Sequence, residues 1–423
     1  MNYFKSIHFY IIALLATFCY SCEDNVSWTE TYTANVPVYM SLSDFRTTQA
    51  VSSSRDLEKP GKICMFGNIL FINEIEKGIH IIDNSNPALP QNVGFLEIIG
   101  NIDMAIKDNY LYVDSYTDLV CFDIGNPKQP QFSGRKENAF PYVLPGTGND
   151  YPIDAIDQSK GVVIGWEVKK ITRKKENNYY PGPYYYDYGL SSDRTTAWNS
   201  VSGSSKTTSV TGSMARFSVV GDYLYVLTNY YLKTFSIKGT GIDLVNDLYI
   251  TSNAETIFGY NNNLYIGTPS GMYIYSIAAP ESPKYQSFIN HIWGCDPVVV
   301  QGNYAYVTIR SGNFCGQNSS LLDVIDVSNP TSPVLKASFT MEEPYGLSID
   351  GNTLFLCDKG LKVFDATNPL KIGEKLLTKF NNMHGFDVIA YDNLLMLIGN
   401  DGLYQYDYSD LNQVRPLSVI PVK

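Results

Sequence analysis

Short apolar runs, closed by Gly, Asn or Pro, recur along most of the chain. The clearest is GLKVFDATNP, residues 360–369. Its apolar positions alternate as in a strand, the run ends on Asp, and the Pro forbids continuation. Degraded copies are GIHIIDNSNP at 78–87, LVCFDIGNP at 119–127 and LLDVIDVSNP at 321–330, with a weaker GMYIYSIAAP at 271–280. A second strand of one style precedes the later copies: YLYV from Tyr223, NLYI from Asn263, YAYV from Tyr304 and TLFL from Thr353. A period near 40 residues with only strands inside it predicts an all-β fold, a β-propeller of four-stranded antiparallel blades.

Aligning the hairpins on their second strands gives the anchors Leu70, Leu111, Val162, Leu224, Leu264, Ala305, Leu354 and Leu394. Their intervals are 41, 51, 62, 40, 41, 49 and 40 residues. Eight hairpins predict eight blades, each running strand A, a Gly-Asn or Asp-Asn turn, strand B, a loop, strand C, an Asn-Pro turn and strand D. Gly67-Asn68, Asp108-Asn109, Gly302-Asn303 and Gly351-Asn352 are the expected A–B turns, since Gly, Asn and Asp tolerate positive φ. The third blade is the poorest copy: IDAIDQ and GVVIGWEV supply two strands, and its outer pair is lost in an insertion. If that insertion holds no outer strands, the alternative is seven blades.

Composition refines this picture. Hydrophobic residues make up 44% of the 423 positions, charged residues only 17%, and there are 33 Tyr, which favours strands. Net charge is −11, and removal of residues 1–21, which contain Lys5 as their one formal charge, makes it −12. Such a balance argues against nucleic acid as a partner. The opening MNYFKSIHFYIIALLATFCYSC has Lys5, an apolar run from Phe9 to Phe18, then Ser21-Cys22. The run is too short to span a bilayer as a mature helix. It resembles a bacterial lipoprotein signal with Cys22 as the lipidated residue. Glu23-Asp24 resembles the acidic signal that sends Bacteroidetes lipoproteins to the outer face of the outer membrane. A secretory signal cleaved without lipidation is the plainer alternative. The expected organisation is a signal peptide at 1–21, a tether at 22–60 with one strand-like run (VPVYMSL), and a propeller at 61–423.

The run LLDVIDVSNPTSP, with GIHIIDNSNPALP, resembles the LVIVD-repeat family over roughly residues 62–423. The resemblance implies a surface or secreted β-propeller, often a bacterial lipoprotein, with no common activity.

Strand direction sorts the loops onto two faces. A–B and C–D turns share one, where Asp83, Asp123, Asp326 and Asp365 are expected to cap the Asn-Pro turns. One carboxylate per blade makes no metal cage, so no metal or other cofactor is expected. The B–C and D–A loops share the other face, and three departures from the repeat fall there. An insertion at about 171–213 carries Tyr179, Tyr180, Tyr184, Tyr185, Tyr186 and Tyr188, then a polar stretch around Trp198. Tyr offers a rigid apolar face with a hydroxyl rim, suited to glycan stacking or a protein interface; equally, the loop could cover its own blade edge. Asp103 and Asp154 each lie eight positions before an anchor, as do Arg216 and Thr256, so these side chains open strand A near the channel mouth. They could bind a ligand, or bond the neighbouring loop backbones. Asp296 and Asp387 fall one residue outside this register. Cys295 opens a strand A and Cys315 follows the paired strand B, which makes a disulfide conceivable in an oxidising compartment. Cys64, Cys121 and Cys357 read as buried small hydrophobes.

Three functions are compatible. The first is a non-enzymatic surface lipoprotein that binds a glycan or protein through one propeller face. The second is a structural envelope scaffold. The third is a glycan-active enzyme working through Asp103 and Asp154, since paired carboxylates about 5 to 10 Å apart could perform glycoside chemistry. No residue is assigned a catalytic role.

Overall fold

The computed structural model describes residues 28–47, 51–175, 209–211, 213, 215–239, 241–250, 254–290, 297–310 and 319–423. The chain divides into two compact units. The larger comprises 38–148, 157–165 and 187–423, and holds seven blades of four antiparallel strands. They span 60–97, 104–136, 217–249, 256–290, 298–340, 344–380 and 385–421. The propeller therefore has seven blades, the alternative reading of the repeat, and not eight.

The eighth hairpin fails for a visible reason. Residues Val162–Lys175, read as strand B of a third blade, form one long strand that pairs with Trp28–Met40. The preceding IDAIDQ holds no strand; Ile153 makes an isolated parallel bridge to Asn35. In the smaller unit, Asn35 is fully buried and its amide donates to Asn149 Oδ1 at 2.9 Å and to the Tyr151 carbonyl at 2.7 Å. The segment read as a tether thus contains, from Trp28 onward, a strand, a helical turn at Leu42–Phe45 and a strap at 51–59.

Each blade forms for local reasons. Asp108, with φ 50°, and Gly67, Gly302 and Gly351, with φ 56°, 60° and 53°, occupy the left-handed A–B turns expected of them. Strands B are buried along both faces, as in blades 1, 4 and 6, and are correspondingly near-continuous apolar runs. Strand D is the exposed rim, where polar and apolar positions alternate. The core lies between blades in layers. One joins Ile79, Ile81, Met104 and Val113 of blades 1 and 2; another joins Leu70, Ile72, Met396 and Ile398 of blades 1 and 7.

On the turn face, the carboxylates of Asp83, Asp123, Asp326 and Asp365 each accept from the backbone N–H two residues on, at 3.0, 2.7, 3.0 and 2.9 Å. Asp407 does the same in blade 7 at 2.9 Å. Side-chain bonds from the Ser328, Thr367 and Ser409 hydroxyls, added to these backbone bonds, hold the Asp326 and Asp365 carboxyls below the usual range and that of Asp407, which Arg415 also holds, at about 2. These are turn caps, as the pattern implies.

Blades 1 and 7 share no strand. They are joined by the strap, by side chains and by core packing. Leu57, 1% exposed, bridges in parallel to Val422 and accepts from Lys423 N at 2.9 Å. Val51 and Ser52 pair with Leu96 and Phe95 on the outer strand of blade 1. Asn84 of blade 1 and Gln405 of blade 7, both buried, exchange reciprocal amide hydrogen bonds at 2.8 Å.

Candidate functional site

Strand pairing fixes which residue of each blade opens the inner strand. Met104 faces Val113, Phe217 faces Val226, Ile257 faces Ile266 and Leu347 faces Leu356. The residue just before each of these is Asp103, Arg216, Thr256 and Gly346. Blades 1, 5 and 7 contribute Lys62, Pro297 and Asp387 at the same place. Asp387 is therefore in register, contrary to the alignment of the repeats by sequence. Tyr391 pairs with Leu394 across the Asp392-Asn393 turn, so the equivalent of Leu111 is Leu395 and not Leu394. Counting eight back from Leu70 also finds Lys62, which is not among the sequence candidates.

Four charged members of this ring are buried. Lys62, Asp103, Arg216 and Asp387 are 3%, 2%, 7% and 0% exposed. Lys62 Nζ lies 2.6 Å from Asp103 Oδ2, tying blade 1 to blade 2. The same oxygen accepts from the backbone N–H of Arg216 at 2.8 Å and of Phe217 at 3.2 Å, tying blade 2 to blade 3. Asp103 Oδ1 accepts from Met104 N at 2.7 Å. The Arg216 guanidinium donates to Asn229 at 3.2 Å. Behind them, Asp114 Oδ1 accepts from Ile102 N, Asp103 N and the Asn101 amide at 2.7, 2.8 and 2.8 Å.

Burial dominates the electrostatics. It lowers the Lys62 amine to about 7, against the opposing pull of Asp103 and Asp114. It raises the Asp114 carboxyl to about 7, and Asp387 well above the carboxylate range. Asp387 Oδ2 has no hydrogen-bond partner among the described residues. Gly346 belongs to the same arrangement: a Cβ there would sit 2.6 Å from Asp387 Oδ1 and 2.8 Å from the Phe386 carbonyl.

A segment of the chain enters the ring of inner strands. Residues Ser209–Thr211, the return of the long insertion, pair antiparallel with the inner strand of blade 1 on its axial edge. Ser213 N and Oγ then donate to Asp387 Oδ1 of blade 7 at 3.2 and 3.5 Å. Ser213 Oγ accepts from Leu347 N of blade 6 at 2.6 Å. The insertion thus ends as a plug bonded to blades 1, 6 and 7.

Of the residues singled out in the sequence, Asp103 and Arg216 meet in this network. Asp154 does not join it: its anchor, Val162, opens no blade. Asp154 belongs to the smaller unit, where its carboxylate is paired with Arg173 and its N–H donates to the Asn35 carbonyl at 2.9 Å. Thr256 is buried in its expected register. Cys22, Tyr179, Tyr180, Tyr184, Tyr185, Tyr186, Tyr188, Trp198, Cys295 and Cys315 lie outside the described residues. Cys64, Cys121 and Cys357 are free and buried, and burial pushes the Cys121 thiol up to about 12. Among the described residues no cluster of His, Cys, Asp and Glu could hold a metal ion, and no helix is long and apolar enough to cross a membrane.

Residues 61–96, 102–137 and 295–341 match the LVIVD repeat, on blades 1, 2 and 5. Three LVIVD repeats are present. The repeat Asp and Asn-Pro positions coincide with the capped turns, and the residue before each repeat's inner apolar run falls on the ring that holds Lys62 and Asp103. No curated protein matches this LVIVD-repeat chain in sequence. Among solved structures it is similar to the computationally designed Ika8 protein, at 11% identity and TM-score 0.50, over 86% of this chain and 89% of that one. It is also similar to Kluyveromyces lactis Hsv2, at 11% identity and TM-score 0.49, over 86% of this chain and all of that one. A third is PorZ, a bacterial surface component of the type-IX secretion system of Porphyromonas gingivalis. It is 12% identical with TM-score 0.46, over 88% of this chain and 39% of that one. At such identities the likeness is one of fold.

Proposed function

We propose that this LVIVD-repeat propeller is a non-enzymatic binding module of the cell surface, anchored by lipid on Cys22. Its ligand is a glycan or a protein, taken on the face of the B–C and D–A loops. The observation that carries this reading is the closure of the ring at that face. Asp103, the one candidate carboxylate that lies on a blade, is 2% exposed, and its two oxygens accept from three backbone amides while Lys62 pairs with it. It has no room to act on a bulky substrate, and its expected partner, Asp154, opens no blade. The plug occupies the axial edge of blade 1. Contact with a partner therefore falls to the surrounding loops, of which the Tyr-rich insertion is the longest. The anchor reading is supported by the apolar run ending in Ser21-Cys22 and by Glu23-Asp24.

Two measurements test the proposal. Cys22→Ala is expected to move the protein from membranes to the soluble fraction or to block processing; unchanged association and mass would refute the anchor. Glycan-array and envelope-protein screens are then run on wild type and on a variant with 176–206 replaced by a Gly/Ser linker. The linker variant should lose binding, and Tyr185→Ala with Tyr186→Ala should weaken it about ten-fold or more, at roughly 1 kcal/mol per stacked ring. A linker variant that binds a ligand normally would leave the insertion a blade cover and favour the scaffold reading.

A further inference from the structure

The Lys62–Asp103 pair has a second reading besides an ion pair. We propose that Lys62 and Asp103 condense into an intramolecular isopeptide bond that rivets the inner strands of blades 1 and 2. The two side chains are in contact at 2.6 Å, and each is 3% exposed. They are held from adjacent blades: Lys62 directly precedes Ile63, which pairs with Ile72, and Asp103 directly precedes Met104, which pairs with Val113, while Asp103 N donates to Asp114 Oδ1. Permanent contact of two reactive groups in one geometry replaces the encounter that ordinarily limits amide formation.

The surroundings match the needs of the step. The Asp103 carbonyl oxygen that would carry developing negative charge is Oδ2. Two consecutive backbone N–H groups, of Arg216 and Phe217, already point at it, the arrangement that stabilises a tetrahedral oxyanion. An ammonium and a carboxylate do not condense; a neutral amine and a neutral acid do. Transfer of one proton from the Lys62 ammonium to Asp103 within the contact supplies both neutral forms with no other acid or base. Burial brings the Lys62 amine to about 7, so its nucleophilic form is populated near neutrality. Asp387, whose carboxyl burial holds well above the carboxylate range, adds little negative charge to hold Lys62 as an ammonium, while Asp114, at about 7, pulls against the fall of the Lys62 amine without cancelling it.

The atoms balance without a co-reactant. The Lys62 Nζ lone pair forms a bond to Asp103 Cγ, and the Cγ–Oδ1 bond breaks. Oδ1 leaves as water, carrying the carboxyl proton and one amine proton. Oδ2 remains as the amide carbonyl on the N–H groups of Arg216 and Phe217. The product replaces a buried ion pair with a neutral amide, and crosslinks the first two blades against heat and proteolysis.

Mass spectrometry of the purified wild-type protein is the direct test. Condensation predicts a deficit of about 18 Da, the mass of the water lost when an amine nucleophile acylates. In a denatured tryptic digest, cleavage after Lys62 should be lost, and a branched species should join residues 56–77 to residues 78–107. Lys62→Arg should restore the full mass. Asp103→Asn offers a carboxamide that expels ammonia, so its deficit should be about 17 Da. Ordinary cleavage after Lys62 with linear peptides of full mass would overturn the proposal. So would a deficit confined to a linear peptide in 78–107, the signature of a succinimide. The wild-type digest is sufficient by itself, so a variant that fails to fold does not obscure the outcome.

Discussion

Asp114 shows how a single buried group sets a pH response. It is 4% exposed, and burial raises its carboxyl to about 7 from an ordinary 3.8. Between those values the native protein keeps a proton that the unfolded chain has lost. Stability from this group is therefore complete below about pH 4 and is lost as pH rises through about 7, by on the order of 4 kcal/mol. Asp114→Asn keeps an oxygen for the N–H groups of Ile102 and Asp103 but has no proton to lose. Urea unfolding at pH 5, 6 and 8 should show wild type weakening relative to the variant across that range. A wild-type–variant difference that stays constant from pH 5 to pH 8 would mean the carboxyl is not held protonated. The acids of the turn face behave oppositely: Asp407, held at about 2, stabilises above the unfolded carboxylate range and loses that contribution as pH falls through about 2.

Among the elements, the plug is the least legible in the sequence. Its stretch around Ser209 is polar and short, and it pairs through its backbone along one strand edge, so no apolar period marks it. Ser213→Ala removes the oxygen on which Leu347 N is satisfied, and should destabilise the propeller by about 1–3 kcal/mol in urea melts. Replacing 176–206 with a Gly/Ser linker should change the melt by far less, because Ser209–Thr211 and Ser213 are retained. An unchanged Ser213→Ala midpoint would show that the plug is no part of the cooperative fold. The blades themselves are readable, because each is a run of adjacent antiparallel strands whose turns and strand ends carry Gly, Asn, Asp and Pro at fixed offsets. The false blade arises because GVVIGWEV carries the right alternation while its actual partner, Trp28–Met40, lies far earlier in the chain, beyond the reach of a local repeat. Two misplacements at the candidate site have equally specific causes. The Leu394-Leu395 doublet leaves the blade 7 anchor ambiguous by one residue and hides Asp387. Lys62 obeys the eight-residue count from Leu70, as Arg216 does from Leu224, but it lies at the margin of the segment read as a tether, 22–60.

At the scale of the molecule, the seam between blades 1 and 7 carries the closure of the ring. No sheet crosses it; it is held by Leu57 against Val422, the Asn84–Gln405 amide pair, the Ser418 hydroxyl on the Pro87 carbonyl, the apolar layer around Leu70 and Met396, and the plug that bonds both blades. Gln405→Ala leaves the buried Asn84 amide unsatisfied and should destabilise the fold by about 1–3 kcal/mol, measured by calorimetry; a loss within error would mean the seam tolerates an open amide. Because every blade is one uninterrupted stretch of chain, the order in which the blades are synthesised is not dictated by the sheets. Residue 423 already reaches residue 57 by a hydrogen bond of 2.9 Å. The ring can be reopened at another joint, between blades 4 and 5 for instance, with 423 joined by a flexible linker to the chain ahead of Trp28, so that the strand Trp28–Met40 is kept. Such a circular permutant would carry a new pair of ends in the middle of the present sequence and the same seven sheets. The joint between blades 2 and 3 is the exception, since the stretch crossing it also supplies Ser209–Thr211 to blade 1, and a cut there would unthread the axis.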